Sequence, residues 1–420
     1  MKSTDQGGPG KTRPRRLLLC LDGVPHKLIQ AAKSRGLFDA FGPPTRLLSP
    51  FPTMTNVALS AMFGATPPPG YESLYFDRKA RELRGGVRKY LGRRTPDKIP
   101  SSYMDELDYQ EPLAFEFLIY VAPEKVWRTD MQRFHERFRN APQTRDFFAF
   151  LKATDGLLHA QGPDRLNIAL ESLDKILRDI KKYCGNETEI VLFSDHGMNL
   201  EENRRVDLVT HLRRKSFRVN GKVTPGTRSI SIPAFGLCSY AAAYCGDEEM
   251  IEEAADGAIE VPGVDFVVLR DEGGVLLKSQ RGKARIEKSE NNGYRYLPLT
   301  GDPLELQNDL KQLQSSGKQD ANGYTASDDW FSQTNANKYP NAVVNIYKSL
   351  FTARVQHTAD ILISLRDGYY YGWSPFGKIV RLAATHGNAL AASSNAFLMS
   401  THRELPECVR ADDARPWLKE

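Results

Sequence analysis

Seven side chains of metal-binding type occupy five short stretches of this chain: Asp22, Thr55, Asp155, His159, Asp195, His196 and His386. Carboxylate, hydroxyl and imidazole donors in that number suffice for two divalent ions and one nucleophile. Asp195-His196-Gly197 is the sharpest unit. Adjacent residues leaving a strand diverge, so the acid and the imidazole reach two sides of one site, and the glycine permits a tight exit. Asp155 and His159, four apart, share a face if their segment is helical. His386-Gly387 lies in a loop of small residues, 383–395, unlike the apolar surroundings of a core histidine. Thr55 precedes Val57 to Phe63, which reads as a short helix stopped by Gly64 and Pro67–Pro69. A hydroxyl there is ordinarily an N-cap, yet the same free N–H groups and dipole also favour a phosphate. An acid after a strand likewise has an ordinary use, capping the next helix or turn. Convergence of the acids with histidines is what raises the functional reading.

The elements that must position these residues are short buried strands. Leu17–Leu21, Phe115–Val121, Phe147–Ala153, Ile190–Phe193 and Ile361–Leu365 are continuous apolar runs. Leu166, Leu170, Leu173, Leu177 and Ile180 repeat at helical spacing, with Pro163 suited to the first turn and Gly185 to the stop. Strands alternating with helices predict an α/β fold with a mostly parallel central sheet covered on both faces. Asp22, Asp155 and Asp195 each follow such a strand, and ligands of open parallel sheets bind beyond the carboxyl ends. Residues 1–16 read as a flexible tail. Residues 17–216 and 301–420 are expected to form the catalytic core. Residues 217–300, with strands near 235–244, 265–269, 275–278 and 284–288, are expected to form a smaller inserted α+β subdomain. The polar stretch 314–333 reads as loop.

A chain of 420 residues with 40% hydrophobic content is ample for a packed core. Its net charge of +5 is mildly basic and suits anionic small substrates as well as nucleic acid. The five cysteines are odd in number and show no CxxC spacing, which predicts free thiols in a reducing compartment. No apolar run approaches the ~18 residues of a membrane span, and the run ending at Asp22 is too short for a signal peptide. A soluble cytoplasmic protein without a membrane partner is expected. Gly7 to Thr12 superficially resembles a P-loop, but Asp5 stands at its first glycine position and no strand precedes it.

Leu21-Asp22-Gly23, Pro52-Thr53-Met54-Thr55, Thr154-Asp155-Gly156-Leu157-Leu158-His159, Ser194-Asp195-His196-Gly197-Met198 and Thr385-His386-Gly387 follow one another in the order of a known family. They resemble the motifs of the alkaline phosphatase superfamily, in particular its type I phosphodiesterase/nucleotide pyrophosphatase branch, over roughly 17–200 and 345–400. The resemblance implies an alkaline-phosphatase-like fold and two divalent metals. Asp22, Asp195, His196 and the Thr55 oxygen would hold one zinc, and Asp155, His159 and His386 the other. Mn²⁺ or Fe suits the same donors. It also implies Thr55 as nucleophile, with Thr53 the runner-up. A phospho-threonine would form first and then be hydrolysed, the metals clamping attacking and leaving oxygens from about 4 Å apart. The expected partner is a small phosphate ester, with nucleic acid only as substrate.

One departure bears on substrate class. Diesterases of this family place an asparagine about twenty residues beyond the nucleophile, whereas here none occurs between Asn56 and Asn140. That window holds Tyr71, Tyr75 and a basic run from Arg78 to Arg94. An arginine there can meet the extra charge of a monoester, although such a run is ordinarily a solvated face. Asn56, Tyr71 and Arg78 are the expected substrate contacts. The leading expectation is therefore a phosphodiesterase or nucleotide pyrophosphatase. The alternatives are a phosphomonoesterase or metal-dependent phosphomutase and, from another class, a basic anion- or nucleic-acid-binding protein. The Cys/Ser-x-Pro-x-Arg motif of a sulfatase is missing.

Overall fold

The computed structural model describes residues 15–86, 101–110, 118, 122–372 and 382–419. The strand expected at Phe115–Val121 lies outside them, Leu118 apart, as do Arg88, Lys89, Arg93 and Arg94 and nearly all of the N-terminal tail. The fold is mixed α/β, built on two large sheets.

The first sheet has seven strands among the described residues. Their order is Cys408–Arg410, Thr45–Leu48, Asn395–Ser400, Ile190–Phe193, Leu17–Leu21, Phe147–Leu151 and Tyr109–Gln110. Leu17–Leu21 is central and pairs in parallel with both neighbours. Every residue of the three central strands is buried, as a sheet covered on both faces requires. Alternation sends Leu17, Leu19 and Leu21 to one face, against Leu166, Leu170, Leu173 and Leu177 of the helix Pro163–Cys184. Leu18 and Cys20 face the other way, with Ala58, Leu59, Met62 and Phe63 of the helix Thr55–Phe63. The same alternation that builds two cores thus brings the Thr55 helix to one side of the strand ending at Asp22.

The sheet is mixed, four of its six pairings parallel and two antiparallel. Asn395–Ser400 runs against both its neighbours, Thr45–Leu48 and Ile190–Phe193. The second sheet, nine-stranded among the described residues, departs further: the pairings from Tyr240–Cys245 through Gly293–Gly301 are antiparallel. The expected strand Ile361–Leu365 forms with its predicted bounds but belongs to this sheet, between Val264–Asp271 and Tyr240–Cys245. A run buried on both faces looks the same in either direction, so burial alone carries no polarity. Residues 217–300 share this sheet with 325–326 and 361–365.

Residues 314–333 are not a loop throughout: Ser327–Thr334 is a helix. One side chain anchors it. Trp330 is fully buried, and its indole N–H donates to the Tyr294 carbonyl at 2.9 Å. Adjacent Trp330 and Phe331 among polar residues make no i, i+3, i+4 pattern, which is why the helix is hidden in the sequence. Trp330→Ala is expected to cost about 3–5 kcal/mol of stability, read as a lower midpoint in urea unfolding; an unchanged midpoint would show that the helix is not held this way.

Candidate active site

The carboxyl edge of the first sheet gathers the acids. Parallel registers set Cys20 beside Phe193 and Leu21 beside Leu151, so the chain leaves three adjacent strands at one level. Short polar ties lock these exits together. The Asp22 N–H donates to the Leu151 carbonyl at 3.1 Å, and the Thr154 hydroxyl donates to the Asp22 carbonyl at 2.7 Å. The Gly23 N–H donates to Asp195 Oδ1 at 3.1 Å. Gly23 must be glycine: its φ is +70°, and a Cβ there would lie 3.0 Å from Asp155 Oδ1 and from Met198 Cε. Asp155 and His159 sit one turn apart on the helix Ala153–Gln161, with Nε2 3.2 Å from Oδ1.

Thr55 is the first residue of its helix, Met54 is the N-cap, and no side chain makes a capping hydrogen bond. Its hydroxyl is therefore not used as a cap. It lies 3.2 Å from His196 Nε2 and 3.4 Å from Asp22 Oδ1. His196 Nε2 is also 3.3 Å from Asp195 Oδ2. His386 Nε2 approaches Asp155 Oδ1 at 3.6 Å, and its ring stacks on His196 with centroids 3.8 Å apart. The structure thus brings all seven residues into one cluster. Donor atoms of Asp155, His159 and His386 fall within 4.8 Å of one another, as do those of Asp22, Asp155 and His196.

Each histidine is turned the same way by the backbone. His159 Nδ1 meets the Ala384 carbonyl at 2.7 Å, His196 Nδ1 the Gly197 carbonyl at 2.9 Å, and His386 Nδ1 the Thr53 carbonyl at 2.8 Å. A carbonyl only accepts, so each Nδ1 carries hydrogen and each ring turns its Nε2 toward the carboxylates. Burial pushes His196 down to about 4 and His386 down to about 3, so both are neutral at neutral pH. Burial raises Asp195 to about 6. At Asp155 burial works upward as well, but the neighbouring His159 outweighs it and holds the carboxyl below its usual range. Asp155 Oδ1 and Asp195 Oδ2 are buried without a hydrogen-bond donor. Buried carboxylate oxygens without a donor are costly alone and are stabilised by a cation. The donor set, oxygen and nitrogen without sulfur, fits divalent metals of the zinc type.

Thr53 and Thr55 have separate surroundings. The Thr53 hydroxyl donates to the Asn388 carbonyl at 3.2 Å and accepts the Gly387 N–H at 2.8 Å, holding the His386 loop. Asn56 stands beside Thr55, and its Oδ1 accepts the Tyr103 hydroxyl at 2.7 Å. Tyr71 lies in the core, its ring against Tyr240 and its hydroxyl accepting the Ala359 N–H. Arg78 pairs with Asp360 and donates to the Thr358 carbonyl. Asn199, Asp367 and Asn388, which sequence reasoning passed over, knit the loops behind His196 and His386. Common polar residues without metal-ligand spacing offered no signal. Thr53→Ala, losing two buried hydrogen bonds, is expected to destabilise the metal-free protein by about 1–3 kcal/mol. Thr55→Ala should leave its unfolding midpoint nearly unchanged, and equal effects would contradict this division of roles.

A family model for type I phosphodiesterase / nucleotide pyrophosphatase matches residues 56–262, a span that includes Asp155, His159, Asp195 and His196. No curated protein matches the chain. Among solved structures, murine ectonucleotide pyrophosphatase / phosphodiesterase 5 is similar at 13% identity and a TM-score of 0.50, covering 96% of this chain and 94% of that one. Phosphonoacetate hydrolase from Sinorhizobium meliloti 1021, in complex with phosphonoformate, is similar at 14% identity and a TM-score of 0.52, covering 97% and 95%. At such identities these structures show likeness of fold. The family model and the likeness of fold agree: the chain is similar to type I phosphodiesterases/nucleotide pyrophosphatases, as the motifs around Asp22, Thr55, Asp155, Asp195 and His386 led one to expect.

Proposed function

We propose that this chain cleaves phosphodiester or pyrophosphate bonds through a phospho-threonine intermediate on Thr55. In this reading Asp22, Asp195, His196 and the Thr55 oxygen hold one divalent metal, and Asp155, His159 and His386 hold a second. Zinc is the preferred ion, with Mn²⁺ or Fe as alternatives for the same donors. The observation that carries the reading is the Thr55 hydroxyl 3.2 Å from His196 Nε2 and 3.4 Å from Asp22 Oδ1, in one cluster with the buried Asp155 Oδ1 and Asp195 Oδ2, which have no hydrogen-bond partner. Bound divalent ions supply positive charge toward the phosphoryl oxygens and lower the pKa of a neighbouring hydroxyl or water.

The chain's own residues orient the reaction. Thr55 Oγ1 forms the new bond to phosphorus while the alcohol or phosphate leaving group departs from the opposite side; water then cleaves the phospho-threonine. The first-turn N–H groups of Thr55–Phe63 have no intrahelical partners and suit nonbridging phosphoryl oxygens. Asn56 adds a side-chain donor beside the nucleophile, because Tyr103 engages only its Oδ1 and leaves the NH₂ group for a ligand. Arg78 and Tyr71 are engaged by other residues of the protein, which weakens the monoester alternative. The five cysteines are free thiols, which supports a reducing, cytoplasmic setting. Among the described residues, no helix is long and apolar enough to cross a membrane.

Bis(p-nitrophenyl) phosphate should be hydrolysed faster than p-nitrophenyl phosphate by the zinc-loaded enzyme, and the opposite order would sink the diesterase reading. Thr55→Ala should lower kcat by about three orders of magnitude or more. Full activity in that variant, with Thr53 intact, would remove Thr55 as nucleophile.

A further inference from the structure

The loop that carries His386 is tied down residue by residue. The Ala383 N–H donates to the His159 carbonyl at 2.9 Å, and Thr385 and Asn199 form an isolated antiparallel bridge. The His386 carbonyl accepts the Ser239 N–H at 2.6 Å. Behind this lacing stands one carboxylate. Asp367 follows the strand Ile361–Leu365 of the second sheet, and its Oδ1 accepts from two amides: Asn388 Nδ2 at 3.0 Å and Asn199 Nδ2 at 3.4 Å. Asn388 lies two residues after His386, and Asn199 three after His196. Both asparagines are buried, and their remaining groups are also used. Asn199 Oδ1 accepts the Thr385 N–H at 2.9 Å and exchanges amide hydrogen bonds with Asn203. Asn388 Nδ2 also donates to the Leu365 carbonyl at 2.9 Å, and its Oδ1 accepts the Leu390 N–H.

We propose that Asp367 is a positioning residue for the metal site: by holding Asn388 and Asn199 on one oxygen, it fixes the His386 loop against the Asp195-His196 loop. The inference rests on the proposed two-metal reading. It assigns a residue of the second sheet the task of setting the distance between ligands that lie on two separate loops. Networks behind metal ligands orient the ligands and set affinity. A rigid acceptor shared by two amides does so without touching the ions.

The test is zinc retention measured by competition with a chromogenic chelator, on the full chain, together with the unfolding midpoint of each metal-free protein. Asp367→Ala should release at least one zinc about 10- to 100-fold more readily than wild type, whereas Asp367→Asn, which keeps an oxygen acceptor, should stay close to wild type. Asn388→Asp sets a carboxylate against Asp367 and should weaken retention as Asp367→Ala does. A merely structural role would lower the metal-free midpoint of Asp367→Ala and leave zinc retention by the folded protein unchanged; that result overturns the proposal. If Asp367→Ala does not fold, equal retention in Asp367→Asn and Asn388→Asp overturns it instead. Wild-type protein that takes up no zinc would reject the metal reading as well, which separates the two failures.

Discussion

The structure is organised around an electrostatic imbalance: buried carboxylates at three strand ends crowd together with three buried imidazoles, two of which burial keeps neutral. Asp155 Oδ1 and Asp195 Oδ2 lie buried without a hydrogen-bond partner, and all three histidines spend Nδ1 on backbone carbonyls and turn Nε2 inward. In the metal-free protein the strain is relieved piecemeal, by the Asp155–His159 pair and by the upward shift of Asp195. Two divalent cations would relieve it at once. The proposed metal site accounts for this imbalance.

Holding that imbalance requires rigidity from several directions. Parallel register sets Asp22 and Asp195 side by side, and the Gly23 N–H stitches them together. The Thr55 helix is seated by the face of the sheet opposite the one that seats Pro163–Cys184. Among the described residues the His386 loop has no such strand of its own, and Thr53, Ser239, Asn199 and Asn388 hold it in place. The second sheet enters the site through these ties, at Ser239 beside Tyr240–Cys245 and at Asp367 beyond Ile361–Leu365.

Much of this was legible in the sequence because the chemistry is carried by rare combinations at strand ends. The runs Leu17–Leu21 and Ile190–Phe193 announce their own burial, and Asp-His-Gly announces a tight exit from a strand. The four-residue spacing of Asp155 and His159 became a helical turn, as spacing implies. Strand direction was not legible, since Ile361–Leu365 and Asn395–Ser400 satisfy burial equally well in either orientation. The helix around Trp330 was hidden because one tertiary contact, rather than a pattern, holds it. Thr53 and Asp367 were invisible as supports for a similar reason: their partners lie far away along the chain. The placement of Arg78 on Asp360 shows the converse, a basic run whose charge is partly used within the protein.

The central claim is that this cluster is a two-metal site. Metal content of the purified, dialysed protein, measured by inductively coupled plasma mass spectrometry after zinc loading, tests it most directly. The account predicts close to two zinc ions per chain in wild type and the loss of at least one in Asp195→Ala. Wild-type protein that remains folded and active with no bound metal would contradict it.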